Sequence, residues 1–132
     1  MLSRTVENGK VKMENSRNVL RDKSYAFALR TVNLYKHLTT EKKEYVLSKQ
    51  VLRSGTSIGA NVVEASQGQS KPDFIHKLSI SLKESFETQY WLDLLRDSNF
   101  LEPAQADSII ADCCELQKIL TASIKTAKAN QR

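Results

Sequence analysis

An all-α fold, a bundle of four antiparallel helices running up, down, up and down, is predicted by three observations. Apolar residues recur at intervals of three and four in four separate segments. Breakers are few, four Gly and two Pro in 132 residues, which favours long helices. No stretch alternates apolar and polar residues as a strand would. The links between segments are short, and short links set consecutive helices side by side and antiparallel.

The segment around which the others are organised is RSGTSIGANVVE, residues 53–64. It places Gly55 and Gly59 inside a helix, where each Gly costs roughly 1 kcal/mol relative to Ala. Two such residues four apart predict close packing against a neighbouring backbone. At 100° per residue Leu47, Val51, Ser54, Ile58, Val62 and Ala65 form one stripe, with Arg53, Ser57, Ala60 and Glu64 beside it. Leu52, Thr56, Gly59 and Val63 make a third. A helix with three contacting sides is central to its fold or assembly.

In chain order, residues 1–20 are polar and without apolar period, so they read as a flexible basic arm carrying Arg4, Lys10, Lys12 and Arg17. The bundle domain is then residues 21–132. Its first helix begins with Asp22 or Ser24 as N-cap and runs to about Leu38, with Tyr25, Ala28, Leu29, Val32 and Tyr35 on one face and Phe27, Leu34 and Leu38 on another. Thr39 or Thr40 caps the second helix, which carries Glu41 and Glu44 in its first turn and ends near Gly68 after about 25 residues. The third starts at Ser70-Lys71-Pro72-Asp73. Phe74, Ile75, Leu78, Leu82, Phe86 and Leu92 line one side of it, and Ile80, Glu84, Glu87, Trp91 and Leu95 the other. Asp97-Ser98-Asn99 ends that helix, Phe100 and Leu101 fold back as an apolar plug, and Pro103 opens the fourth. There Ile109, Cys113, Leu116, Leu120, Ile124 and Ala127 repeat at spacings of 4, 3, 4, 4 and 3, a bundle-facing stripe.

The formal net charge of +5 is uneven. Residues 72–116 hold three basic and nine acidic side chains, and the remainder seventeen basic and six acidic. A basic face of this kind suits nucleic acid or an acidic protein, although solvated lysines are its commoner source. No run approaches the ~18 apolar residues of a membrane span, and the first residues lack the apolar core of a signal peptide. A cytoplasmic protein without membrane contact is expected.

Catalytic and metal chemistry find little support. Di-metal bundles need a Glu from two helices and Glu-x-x-His from two more, and neither His37 nor His76 follows a Glu at that spacing. There is no phosphate-binding Gly loop and no nucleophile elbow. Cys113 and Cys114 are adjacent and make no disulfide framework; Cys113 reads as core packing. Neither enzyme activity nor cofactor is expected. Arg53 is placed to meet carboxylates of the third helix, Glu84 and Glu87, within one chain or across an interface, as a buried pair that would cost roughly 3 to 5 kcal/mol to break. Ser57 and Asn61 either complete that network or bond their own helix. Trp91, on the Glu84 and Glu87 face, is the expected interface anchor.

The runs KSYAFALRTVNLYKHL (23–38), RSGTSIGANVVEA (53–65) and SKPDFIHKLSISLKESFETQYWLDLL (70–95) together resemble the bacterial four-helix-bundle proteins encoded in intervening sequences of large-subunit ribosomal RNA genes, often labelled ribosomal proteins. The resemblance spans about residues 19–128. More distantly the chain resembles accessory proteins of diversity-generating retroelements, which bind nucleic acid and a reverse transcriptase through basic surfaces. The resemblance implies an up-and-down bundle assembled as a homopentameric ring without catalytic residues. Arg53, Ser57, Asn61, Glu64, Glu84 and Glu87 match motif positions of the family.

The function expected is that of a non-enzymatic, homo-oligomeric bundle binding RNA or DNA, with structured RNA favoured, through Lys10, Lys12, Arg17, Lys118, Lys125 and Lys128. The alternative is a scaffold that docks a partner protein and no nucleic acid.

Overall fold

A computed structural model of the protein describes the backbone of residues 4–130 and the side chains of residue 15 and residues 17–130. Four helices account for nearly all of it: α1 (Arg4–Thr40), α2 (Leu47–Ser66), α3 (Lys71–Asp97) and α4 (Pro103–Ala129). Helix α1 packs on α2 and α4, α2 on α3, and α3 on α4, while the backbones of the diagonal pairs stay apart among the described residues. Cross-helix pairs run in opposite directions along the chain, as with Arg53 to Glu87 and Glu64 to Lys77. The arrangement is the expected antiparallel four-helix bundle.

The first helix begins much earlier than Asp22. Residues 4–20 are helical rather than an arm, and residues 1–3 lie outside the described residues. The segment contains no Pro, and one Gly costs only about 1 kcal/mol. Leu20 is also buried, extending the core face of α1 back from Ser24, Phe27, Thr31 and Leu38. Of the two faces expected, it is the one marked by Phe27 and Leu38 and not the one marked by Tyr25 and Leu29: Tyr25 is 67% exposed and Leu29 points outward.

Helix α2 starts later than expected, at Leu47, because α1 runs on through Thr40. The Thr39 and Thr40 hydroxyls donate back to Tyr35 O (2.9 Å) and Lys36 O (2.6 Å) and cap nothing. Lys43 adopts φ 55°, which turns the chain. Glu44 then performs the capping, its carboxylate accepting from the backbone N–H groups of Val46 (3.3 Å), Leu47 (3.1 Å) and Ser48 (2.7 Å). Ser48 answers by donating its hydroxyl to Glu44 O at 2.8 Å. Burial alone would push the Glu44 carboxyl up, but these N–H groups outweigh it and hold the group below the usual range.

Helix α3 opens as expected, with Ser70 Oγ accepting from Asp73 N at 3.2 Å and Pro72 in the first turn. Asn99, at φ 68°, reverses the chain, and Leu101 is buried under the next helix. All six residues of the α4 stripe from Ile109 to Ala127 are buried. Cys113 is among them; burial pushes its thiol up to about 12, and its S–H donates to Ser85 O at 3.1 Å.

The core face of α3 differs from the apolar stripe expected of it. Leu78, Ser81, Ser85, Thr88, Leu92 and Leu95 are buried, whereas Phe86 is 55% exposed. Spacings of 3, 4, 3, 4 and 3 bring small hydroxyl residues inward, and their size lets α2 approach. Each hydroxyl is satisfied. Ser81 donates to Ile58 O across the helices at 2.8 Å, and Ser85 to Leu82 O at 2.6 Å. Thr88 donates to Glu84 O at 2.7 Å and shares a hydrogen bond with Ser54 Oγ at 2.9 Å. The other side of α2 is equally close to α1. A Cβ on Gly59 would lie 3.3 Å from Ser24 O, and one on Gly55 would collide with the Thr31 methyl.

Gly55→Ala is therefore expected to lower stability by about 1 kcal/mol net, overpacking outweighing the gain in helix propensity. In a Thr31→Ser background, which removes the obstructing methyl but leaves the residue 31 Cβ at 3.1 Å, the cost of the same change should be smaller. Urea unfolding of the four proteins measures the difference, and a stabilising single variant would sink the account. Glu44→Ala should cost about 1 to 2 kcal/mol at neutral pH. Because the folded carboxyl ionises at lower pH than the unfolded one, this contribution is full above the unfolded pKa and fades as pH falls through the folded value. Unfolding curves of parent and variant should converge in acid.

Candidate functional site

The basic residues expected to meet nucleic acid gather at one end of the bundle. Lys118, Lys125 and Lys128, at spacings of seven and three, are exposed on the C-terminal half of α4. None of the three forms an ion pair among the described residues. Arg17 of α1 lies toward the same end, its guanidinium 4.8 Å above the Phe74 ring at the start of α3. The Lys10 and Lys12 side chains lie outside the described residues. Acidic residues concentrate toward the other end, where Arg96 is shared among Asp93, Asp97 and Asp107 at 3.7, 3.0 and 3.4 Å. Among the described residues no cluster of three or more His, Cys, Asp or Glu could hold a metal ion, and no helix is long and apolar enough to cross a membrane.

Two further surfaces are apolar. Phe86, Tyr90 and Leu94, four residues apart along α3, project outward as a ridge. Tyr90 meets Trp91 edge to face with ring centroids 5.1 Å apart. Trp91, the expected interface anchor, is itself only partly exposed and packs on the chain's own core, with its Nε1 buried and without a hydrogen-bond acceptor. Between α1 and α2 lies a groove of about 560 Å³ lined by Tyr25, Ala28, Gly59, Ala60 and Val63, among others. The spacing of small residues at 55 and 59 carries the signal for close packing on α1; nothing in the sequence marks a groove beside it.

The polar network sits between α2 and α3. Arg53 reaches both predicted carboxylates within the chain, forming a hydrogen-bonded ion pair with Glu87 and approaching Glu84 Oε2 at 3.5 Å. Ser57 and Asn61 stay outside it: Ser57 Oγ donates to Arg53 O at 2.6 Å and Asn61 Nδ2 to Ser57 O at 2.8 Å, both along their own helix. Glu64 pairs instead with Lys77 at 3.6 Å. The network is not a buried one. Arg53 is 50% and Glu87 40% exposed in their side chains, against 22% for Glu84, so its worth is that of a screened surface pair. Glu84 is the strained member. Its Oε2 is buried without a hydrogen bond, and its carboxyl is pushed above the usual range by burial and by the Glu87 charge, against the pull of Arg53.

Arg53→Ala is expected to cost only about 0.2 to 1 kcal/mol. Glu84 in the folded chain holds its proton more tightly than when unfolded, so its ionised form counts against the fold above the folded pKa and ceases to do so below the unfolded one. Glu84→Gln should therefore leave stability at neutral pH no lower than the parent's. Thermal unfolding checks this, and a loss larger than that of Arg53→Ala would contradict it.

The chain is similar over most of its length to proteins already grouped together. A model of the 23S rRNA-intervening sequence protein family matches residues 17–122. A solved structure of a protein of unknown function from the S23 ribosomal protein family of Bacteroides thetaiotaomicron shares 55% identity and superposes with a TM-score of 0.83, covering 83% of this chain and 98% of that one. No curated protein matches. Fold and sequence agree, and the chain belongs to the 23S rRNA-intervening sequence protein family.

Proposed function

We propose that the chain is a non-enzymatic, homo-oligomeric helical bundle that binds nucleic acid, structured RNA in preference to DNA, at its basic end. One observation carries this reading: Lys118, Lys125 and Lys128 are exposed on one helix and form no ion pair among the described residues, in the half of the bundle that also holds Arg17 and lies away from most of the carboxylates. Unpaired lysines keep their full charge for an external anion, and release of counterions from phosphates then drives association. Membership of a family named for intervening sequences of 23S rRNA is consistent with an RNA partner. The association of copies draws support from the two exposed apolar surfaces, since contiguous apolar patches mark interaction sites.

Fluorescence anisotropy with a structured RNA and a matched DNA duplex, across a salt series, tests the nucleic-acid reading. Affinity should fall steeply with salt and be higher for the RNA, through shape and 2′-OH contacts. Replacing Lys118, Lys125 and Lys128 by Ala should reduce the log-log salt slope by about 3, one unit per phosphate contact. Equal binding by parent and triple variant at every salt concentration would overturn it. Absence of binding near physiological salt would leave docking of a partner protein as the function.

A further inference from the structure

The turn between α1 and α2 lies at the end of the bundle opposite the last turn of α4, and it carries the most exposed of the large apolar side chains described. Val46 is 70% and Tyr45 53% exposed. Their outward position is built in. Glu44 before them is turned inward, its carboxylate held by three backbone N–H groups and its own N–H donating to Leu38 O at 2.9 Å. Lys43, at φ 55°, fixes the bend on the other side. A surface anchored in this way loses little freedom when a ligand covers it.

The same turn is basic. Lys36, Lys42, Lys43 and Lys49 are exposed, and none forms an ion pair among the described residues. Glu41 is the one exposed carboxylate in residues 36–49, since Glu44 is buried. Three aspartates of the same end, Asp93, Asp97 and Asp107, are gathered around Arg96. An aromatic ring among exposed lysines is an arrangement that holds unpaired nucleotides: the ring stacks on a base while the ammonium groups meet phosphates. One Tyr and one Val fall short of the apolar area of a single acyl chain, which alone anchors only marginally, so a membrane surface fits less well. From these observations we propose that the α1–α2 turn is a second RNA contact, in which an unpaired base of a loop or bulge stacks on Tyr45 while Lys42, Lys43 and Lys49 meet neighbouring phosphates. Structured RNA offers such bases where its helices are interrupted. The inference rests on the proposed RNA binding and adds to it a part of the RNA that the lysines of α4 do not distinguish.

The test compares two RNAs by fluorescence anisotropy with the full chain: a hairpin with an unpaired loop, and a blunt duplex of the same stem. Tyr45→Ala should weaken hairpin binding by about 5- to 150-fold, the worth of one base–aromatic stack, and leave duplex binding unchanged. Tyr45→Phe should bind as the parent does. Because stacking releases no counterions, the log-log salt slope of Tyr45→Ala should equal the parent's, whereas Lys42→Ala/Lys43→Ala should reduce it by about 1 to 2. The replaced side chains are exposed, so each variant should keep the helical circular dichroism of the parent. If the parent binds the hairpin and folded Tyr45→Ala binds it equally well, or loses duplex binding to the same degree, the stacking contact is overturned while RNA binding at the basic end stands. Failure of the parent to bind either RNA would overturn both. Vesicles of phosphatidylserine and phosphatidylcholine should leave the chain in solution; pelleting with them that is lost in Tyr45→Ala/Val46→Ala would reassign the turn to a lipid surface and overturn the RNA contact.

Discussion

How near α2 can come to its neighbours on either side is the constraint on which the bundle depends. Toward α1 it presents Gly55 and Gly59, and a single added Cβ meets either the Thr31 methyl or the Ser24 carbonyl. Toward α3 it presents Ser54, whose hydroxyl meets that of Thr88, and the Ile58 carbonyl, which accepts from Ser81. Small hydroxyl residues save space but bring polar atoms into the interior, where an unbonded one costs about 1 to 3 kcal/mol. Each is matched here to a carbonyl or another hydroxyl, so close approach and polar satisfaction are achieved by the same atoms. The outward position of Phe86 and Tyr90 follows: with small residues filling the inner face of α3, its bulky ones are left outside.

How legible each element was depends on whether burial and hydrophobicity coincide there. They coincide on α4, where the apolar stripe from Ile109 to Ala127 is the buried face, and in α2, where Val51, Ile58 and Val62 mark the core. They part on α3 and α1. A hydrophobicity pattern selects Phe86 and Tyr25 as inward, while Ser81, Thr88, Ser24 and Thr31 hold those places. The Glu44 cap went unread for another reason: Ser and Thr are the expected caps, and Thr39 and Thr40 stand nearby, but both spend their hydroxyls on the end of α1. In the polar network, Arg53 and its carboxylates were readable from stripe geometry. Whether Ser57 and Asn61 would bond outward or along the helix was not, because both options satisfy the same donors.

The family relationship fixes the fold more firmly than the activity. A structure 55% identical carries the same helices and is itself described as of unknown function, and function resides in surfaces grafted on a fold. In this chain those surfaces are separated along the bundle and around it. The exposed lysines occupy the C-terminal half of α4, the aromatic ridge lies on the outer side of α3, and the groove lies between α1 and α2. Occupation of the ridge and groove therefore need not obstruct the basic end.

Among the described residues the junction of α1 with α4 is the slightest of the four helix contacts. Its polar rim consists of Lys23 with Glu115 and Arg30 with Asp112, all substantially exposed, and a crevice of about 260 Å³ runs beside Arg30, Leu34, Leu101 and Ile109. The other three junctions join helices consecutive in the chain, whereas this one must bring together the first and the last. Closing it is entropically the most demanding step, since it joins segments far apart in the chain. On that ground α1 and α4 are expected to part first when the molecule breathes, and amides there to exchange before those of the α2 and α3 interior.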